Sequence, residues 1–237
     1  MVPIQMFLFN QWSHGNWFYS SDFGLGGDFF TDLSYYFSTN ILFIINALVI
    51  MLLKLVIHLD TSQLLFWMNN ALIVSIIKAS IALYCTYLFA KHLTKHHLIS
   101  LLMAFLFVIS PLYFRFTVYW PFFSDVFIFM PLLLLSIERF LKMKKLGLFI
   151  VTMSLILINN FYFAYYLLII GAGYIILRII FRHPNDLASR KQALFIFGIS
   201  GFLSLGNSLF IFYHSVQSYL NNRRAVSYTH LRAHETR

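Results

Sequence analysis

The stretch SSDFGLGGDFFTDLSYY, Ser20 to Tyr36, holds three of the chain's eight acidic residues, Asp22, Asp28 and Asp32, around glycines at 24, 26 and 27. Glycine permits positive φ and lets the backbone approach a ligand closely. Three carboxylates could act as a base, hold a sugar hydroxyl or bind a cation. Aspartates in a solvated loop also cap turns and helix starts, so the pattern leaves both roles open.

Other residues with chemical capacity are scattered. Lys78 falls near the middle of the apolar run Leu64 to Ala90. At the centre of a membrane helix a lysine costs about 2.5–3.5 kcal/mol, so it is expected to face the bundle interior or a wet cavity. There it would neutralise a lipid phosphate or pair with a buried acid. Arg115 suits a bidentate hold on phosphate or snorkelling toward headgroups. Asp125 follows Trp120 and Pro121, just before a helix expected from Val126; it caps that helix or meets substrate. Glu138 and Arg139 read as a structural pair closing the same helix. The histidines of KHLTKHH, Lys91 to His97, lack an acidic or cysteine neighbour and read as a solvated loop. The single cysteine, Cys85, excludes an intramolecular disulfide and a cysteine-based metal centre. No metal site is expected from these spacings; a divalent cation on the aspartate cluster is the one cofactor the residue types allow.

The elements that must position these groups are membrane helices. The 237 residues are 60% hydrophobic and 11% charged, with a mean hydropathy of +0.76, against about 25% charged in a soluble domain. Several runs reach the roughly 20 apolar residues a spanning helix needs. The net charge of +9 sits largely in short clusters between apolar runs, a signature of topology rather than of a nucleic-acid surface. Placing KHLTKHH, RFLKMKK and RIIFRHPNDLASRK on the cytoplasmic side gives crossings at 64–90, 98–113, 126–140, on both sides of a break at Asn159-Asn160 within 146–177, and at 193–219. The segment between the second and third crossings, FRFTVYWPFFSD, suits an outer interface. Gly198, Gly201 and Gly206 are expected to let the last helix pack closely. The run Ile41 to Ile57, interrupted by Lys54 and followed by His58 and Asp60, reads as re-entrant or interfacial. That leaves the glycine-acid loop outside. The fold expected is all-α, a polytopic bundle of about six crossings plus one interfacial helix, divided into residues 1–63, 64–224 and 225–237.

Three blocks carry a resemblance. W-x4-D-F-G-L-G-G-D-F-F-x-x-L-S-Y-Y (Trp17 to Tyr36), Y-W-P-F-F-S-D-V-F-I-F-M-P-L-L-L-L-S-I-E-R-F-L-K (Tyr119 to Lys142) and I-N-N-F-Y-F-A-Y-Y (Ile158 to Tyr166) make the chain resemble the bacterial YfhO family of membrane proteins over residues 5–224. The resemblance implies a GT-C type glycosyltransferase fold. It also implies transfer of a sugar from a polyprenyl-phosphate donor to a cell-surface polymer such as lipoteichoic acid, on the outer face of a bacterial plasma membrane. In such enzymes the main carboxylate follows a first outward helix, which the resemblance places before Met1. Asp28, with Asp22 and Asp32 behind it, is then expected to assist catalysis or bind acceptor. Asp125, Arg115 and Lys78 are expected at the substrate, and the fragment alone is expected to be inactive. The ending AVSYTHLRAHETR, Ala225 to Arg237, resembles translated sequencing adapter and is set apart from the fold, His230 and His234 included.

The rival expectation is a transporter or flippase for a lipid-linked sugar, using Lys78 and Arg115 as phosphate handles and helix breaks at Ser110-Pro111 or Asn159-Asn160. A proton-coupled carrier would need an acid in mid-membrane, and none is visible in the apolar runs.

Overall fold

The computed structural model describes residues 1–24, 26–143, 145–182 and 187–235. Among them one small hairpin is the sole sheet: β1 (Tyr19–Ser20) pairs antiparallel with β2 (Gly27–Asp28), Tyr19 opposite Asp28. All else that is regular is helical, as expected.

The N-terminal helix α1 (Val2–Ser13) carries a proline in its first turn, where the missing N–H costs nothing. It buries Leu8, Phe9 and Trp12 against Phe29 of the short α2 (Phe29–Asp32), Phe37, Phe43 and Trp67. Asn40 caps α3 (Ile41–Val56), its Oδ1 accepting from Phe43 N at 2.8 Å. At 16 residues, α3 reaches about 24 Å, short of a full crossing.

The long α4 (Leu64–Thr94) runs for 31 residues, about 46 Å. It ends where Lys95 turns into left-handed backbone, φ 61°, and α5 (His97–Val108) returns along it. Lys91 and His92 in the last turn of α4 complement its negative end, and His97 Nδ1 meets Tyr87 Oη at 2.8 Å. Where a loop was expected, the chain forms another helix, α6 (Pro111–Tyr119), bent 42° from α5 at the Ser110-Pro111 step. Proline disfavours helical backbone in the residue before it and starts a new helix well, which explains both the bend and the helix.

A 3-10 turn, Phe123–Asp125, leads into α7 (Val126–Met143), then α8 (Gly147–Asn159), α9 (Phe161–Arg182) and α10 (Leu187–Glu235). The break expected at Asn159-Asn160 is present: α8 ends at Asn159, and Asn160 Oδ1 accepts from Phe163 N at 3.1 Å to start α9. The backbone of α10 continues through residues 225–235; the side chains of His230 and His234 lie outside the described residues.

Among the described residues three helices are long and apolar enough to cross a membrane, Leu64–Thr94, Tyr162–Phe181 and Lys191–His214, and the bent pair α5 and α6 makes a fourth if it is one span. The other two expected crossings fall short on that measure. Asn159 stops α8 at 13 residues, and α7 carries Glu138, Arg139 and Lys142 within its 18. Both are instead packed inside the bundle, with Leu133, Ile137, Ile156 and Leu157 buried against Leu167 of α9 and Phe197 of α10.

Two expectations about packing change. Glu138 does not pair with Arg139. Its carboxylate takes a two-point hold from Arg178 of α9, Nε on Oε1 and Nη2 on Oε2 at 2.7 Å, and Tyr174 Oη donates to it at 2.8 Å. Neighbours in sequence point to different sides of a helix, so an adjacent arginine cannot face it. The close contact of α10 with α8 comes from serines rather than glycines. Ser200, Ser204 and Ser208 form a buried stripe, Ser204 Oγ donates to Ile150 O at 3.2 Å and Ser154 Oγ to Ser204 O at 3.3 Å. A side chain at Gly198, Gly201 or Gly206 would meet nothing within 4 Å. Small residues that bring backbones together are what membrane helices use in place of a hydrophobic driving force. Ser204→Leu is therefore expected to lower the thermal midpoint by the equivalent of about 1–3 kcal/mol of overpacking, measured in detergent, whereas Gly206→Ala leaves it unchanged or raises it.

Candidate functional site

Two polar centres emerge, and they divide the expected residues between them. The first is the glycine-acid hairpin. Gly24 and Gly26 have φ of +55° and +98°, and a Cβ on Gly26 would lie 2.5 Å from Tyr19 Oη. Only glycine makes this turn while β1 and β2 stay paired. Asp28, the residue after the turn, caps α2: its Oδ1 accepts from Thr31 N at 3.0 Å and its Oδ2 from Thr31 Oγ1 at 2.6 Å. Thr31 Oγ1 in turn lies 3.2 Å from Nδ1 of His214 on α10, and the His214 ring stands edge-on to Phe30.

Asp32, one turn on, is exposed and carries a pKa raised above the usual aspartate range, first by partial burial and then by the charge of Asp28. Asp22 is exposed in the turn, its N–H held by Ser20 Oγ at 3.1 Å and its Oδ1 accepting from Ser21 Oγ at 3.5 Å. So Asp28 and Asp32 are neighbours, and Asp28 is committed to Thr31. An apolar groove of about 240 Å³, to which α1, α3 and α10 contribute, is lined by Trp12, Trp17, Phe30, Leu48, Met51 and Phe210, and neither acid lines it. Phe30 lies between the two acids in the chain and forms part of its wall.

The second centre is buried. Lys78, halfway along α4 and 7% exposed, places Nζ 2.6 Å from Oδ1 of Asp125, which is 1% exposed. Nζ also donates to Pro121 O at 2.9 Å. The other carboxylate oxygen, Oδ2, accepts from Asn40 Nδ2 at 2.6 Å and from Asn159 Nδ2 at 2.9 Å. Both asparagines use their second end as well: Asn40 Oδ1 caps α3, and Asn159 Oδ1 accepts from Ile41 N at 3.0 Å. A cavity of about 20 Å³ adjoins Lys78, lined also by Gln5, Asn46, Asn70, Ser75 and Thr117; that is room for a water molecule, not for a sugar.

Of the two alternatives for Lys78, pairing with a buried acid is the one found. Its charge and that of Asp125 are satisfied by each other. Asp125 is therefore neither a simple helix cap nor an exposed ligand, and an acid does stand halfway along a candidate span, where none was expected. Arg115 is exposed on α6, and among the described residues no ion pair joins it to either centre. No group of three or more His, Cys, Asp or Glu that could hold a metal ion occurs among the described residues. Sequence reasoning missed Asn40, Thr31 and His214. Asn40 was findable, since STN before an apolar run is a helix-start signal; His214 reaches Thr31 from 183 residues away and carries no local mark.

Removing one partner of a buried ion pair costs about 3–5 kcal/mol, because the other charge is stranded. Lys78→Met and Asp125→Leu are each expected to destabilise by that order, and the double variant by less than the sum. A double-mutant cycle from denaturant unfolding in detergent checks it; additive losses would mean the pair is not formed.

Comparison with known proteins agrees with the blocks quoted above. A family described as "Bacterial membrane protein YfhO" matches residues 1–235. A curated relative, "Uncharacterized protein YfhO" of Bacillus subtilis (strain 168), is 38% identical over 224 residues, 94% of this chain and 26% of the relative. The chain thus spans about a quarter of that relative's length. No solved structure matches.

Proposed function

The chain belongs to the YfhO family of bacterial membrane proteins, and from that premise we propose that it forms part of a membrane-embedded glycosyltransferase moving a sugar from a polyprenyl-phosphate donor to a cell-surface polymer such as lipoteichoic acid, on the outer face. The observation that carries the reading is the neighbouring acids Asp28 and Asp32, which flank in the chain a wall residue of the apolar groove, Phe30. A polyprenyl chain is apolar along its length and charged at its phosphate end. The groove suits the first, and the acids next to its wall residue Phe30 in the chain are the carboxylates nearest to it in sequence.

In the reaction the acceptor hydroxyl oxygen attacks the anomeric carbon. The bond from that carbon to the phosphate oxygen breaks, its electron pair leaves with polyprenyl phosphate, and a carboxylate takes the hydroxyl proton. Asp32 fits the assisting role better than Asp28. It is exposed, its proton affinity is raised by partial burial and by its neighbour, and Asp28 is occupied in capping α2 and holding Thr31. His214, through Thr31, ties the acid loop to α10. Lys78 is neutralised by Asp125, so a cation for the departing phosphate has to come from elsewhere; Arg115 is the expected one still exposed.

The alternative, a transporter or flippase for a lipid-linked sugar, draws on one observation, the acid Asp125 halfway along α4. The two asparagines locking that acid to α3 and α8 favour a structural role.

The test uses a chimera in which this chain replaces the matching quarter of the Bacillus subtilis relative, assayed in vesicles for transfer of labelled sugar from a polyprenyl-phosphate donor to polymer. Asp32→Asn is expected to lower transfer about a hundredfold, Asp28→Asn to lower it less, and Asp60→Asn to leave it unchanged. Transfer unaffected by both hairpin variants would remove these acids from the reaction. Labelled donor crossing the bilayer without transfer would favour the transporter.

A further inference from the structure

Four tyrosines from two distant parts of the chain converge beside the acid hairpin. Tyr35 and Tyr36 lie in the turns after α2, and Tyr162 and Tyr166 in the first turns of α9. The ring centroids of Tyr35 and Tyr162 are 6.1 Å apart, those of Tyr162 and Tyr166 5.0 Å, and those of Tyr35 and Tyr36 5.2 Å. The hydroxyls of Tyr162 and Tyr166 are hydrogen-bonded at 3.0 Å. Tyr162 is laid nearly flat on Phe123, 21° between planes and 5.6 Å between centroids, yet stays 40% exposed, with Tyr166 at 43%. The Tyr35 phenol is raised above its ordinary pKa by partial burial and by Tyr162, Tyr36 and Tyr166 around it, as close packing of phenol oxygens requires.

The arrangement is braced from below. Asn160 Nδ2 donates to Tyr35 O at 3.0 Å and its Oδ1 caps α9, so one asparagine fixes both halves. Phe122 stands edge-on to Tyr35 and Tyr36.

A belt of interfacial aromatics has its rings spread around a bundle, each ring in lipid and each hydroxyl in water. Here the rings instead meet one another from two segments, and the hydroxyls of Tyr162 and Tyr166 share a hydrogen bond. We propose that Tyr35, Tyr36, Tyr162 and Tyr166 form a binding platform for a pyranose sugar of a neutral glycan. A pyranose offers an apolar C–H face to an aromatic ring and a rim of hydroxyls that both donate and accept. The platform offers an exposed ring face backed by Phe123 and a rim of phenol oxygens that do the same. Tyr35 follows Asp32 by three residues, so their Cα atoms lie within about 11 Å, and a sugar on the platform stands close to the acid pair. As a placement for the transferred sugar this rests on the transferase reading; sugar binding itself does not.

The experiment is titration of the chain in lipid nanodiscs with maltohexaose, followed by calorimetry, with polyglycerol phosphate of similar length as comparison. Saturable maltohexaose binding is expected, weakened about fivefold by Tyr162→Phe, which removes one hydrogen-bonding hydroxyl, and abolished by Tyr162→Ala with Tyr166→Ala. Near-UV circular dichroism checks that the Phe variant keeps its fold. The variant Asp60→Asn is expected to bind as the parent does; retained maltohexaose binding together with no transfer in the unsubstituted chimera counts against the transferase alone. Absence of saturable binding, or binding that Tyr162→Phe and the double alanine variant leave unchanged, overturns the platform. So does a preference for the charged polymer that survives those substitutions. If the alanine variants alter only the depth of the chain in the bilayer, the tyrosines are an interfacial belt.

Discussion

A lysine ammonium and an aspartate carboxylate, 2.6 Å apart and almost wholly out of water, organise this bundle. Neither ion is tolerable alone at that depth, and each supplies the reason for the other. What makes the pair informative is the set of groups it recruits. Asp125 gathers Asn40 at the start of α3 and Asn159 at the end of α8, while Lys78 of α4 also takes the carbonyl of Pro121. Three further points of the chain are thereby held to one carboxylate and its counterion. Setting one oxygen of a buried acid against a cation and giving the other two amide donors is what turns a costly charge into a geometric constraint.

The constraint reaches the surface features. Asn40 ends the segment that carries Asp28, Asp32, Tyr35 and Tyr36, so anchoring Asn40 fixes where that segment leaves the bundle. Asn159 is followed by Asn160, which holds Tyr35 and starts α9 with Tyr162 on it. The acid hairpin, the apolar groove and the tyrosine cluster are thus arranged around a common buried anchor. At the other end of α7, Glu138 and Arg178 hold α7 to α9, a second charge pair in which the carboxylate is buried and the guanidinium is partly exposed.

Much of this was legible in local sequence. Long apolar runs announced α4, α9 and α10, the two asparagines at 159 and 160 announced a break, and a lysine in mid-run left a lipid phosphate and a buried acid as its two possible partners. The glycines at 24 and 26 announced a turn with positive φ. What sequence could not tell was which acid would meet Lys78, because pairing across a bundle depends on helix rotation and depth. The same limit misassigned Glu138: proximity in sequence suggested Arg139, but helical geometry turns adjacent side chains apart, and the partner lies 40 residues on. The serine stripe on α10 was overlooked because nearby glycines looked like the closer-packing residues. Apolarity alone does not separate α7 and α8 from the longer runs, since a run buried by neighbouring helices and a run facing lipid have the same composition.

The most direct measurement is hydrogen exchange by mass spectrometry on the chain in nanodiscs, comparing the parent with Asp125→Asn. If Asp125 is the common anchor, protection falls together at three places distant in sequence: around Asn40 to Phe43, across Pro121 to Val126, and around Asn159 to Phe163. Loss confined to Pro121 to Val126 would contradict the account, leaving Asp125 as a local cap and the bundle held by its apolar contacts alone.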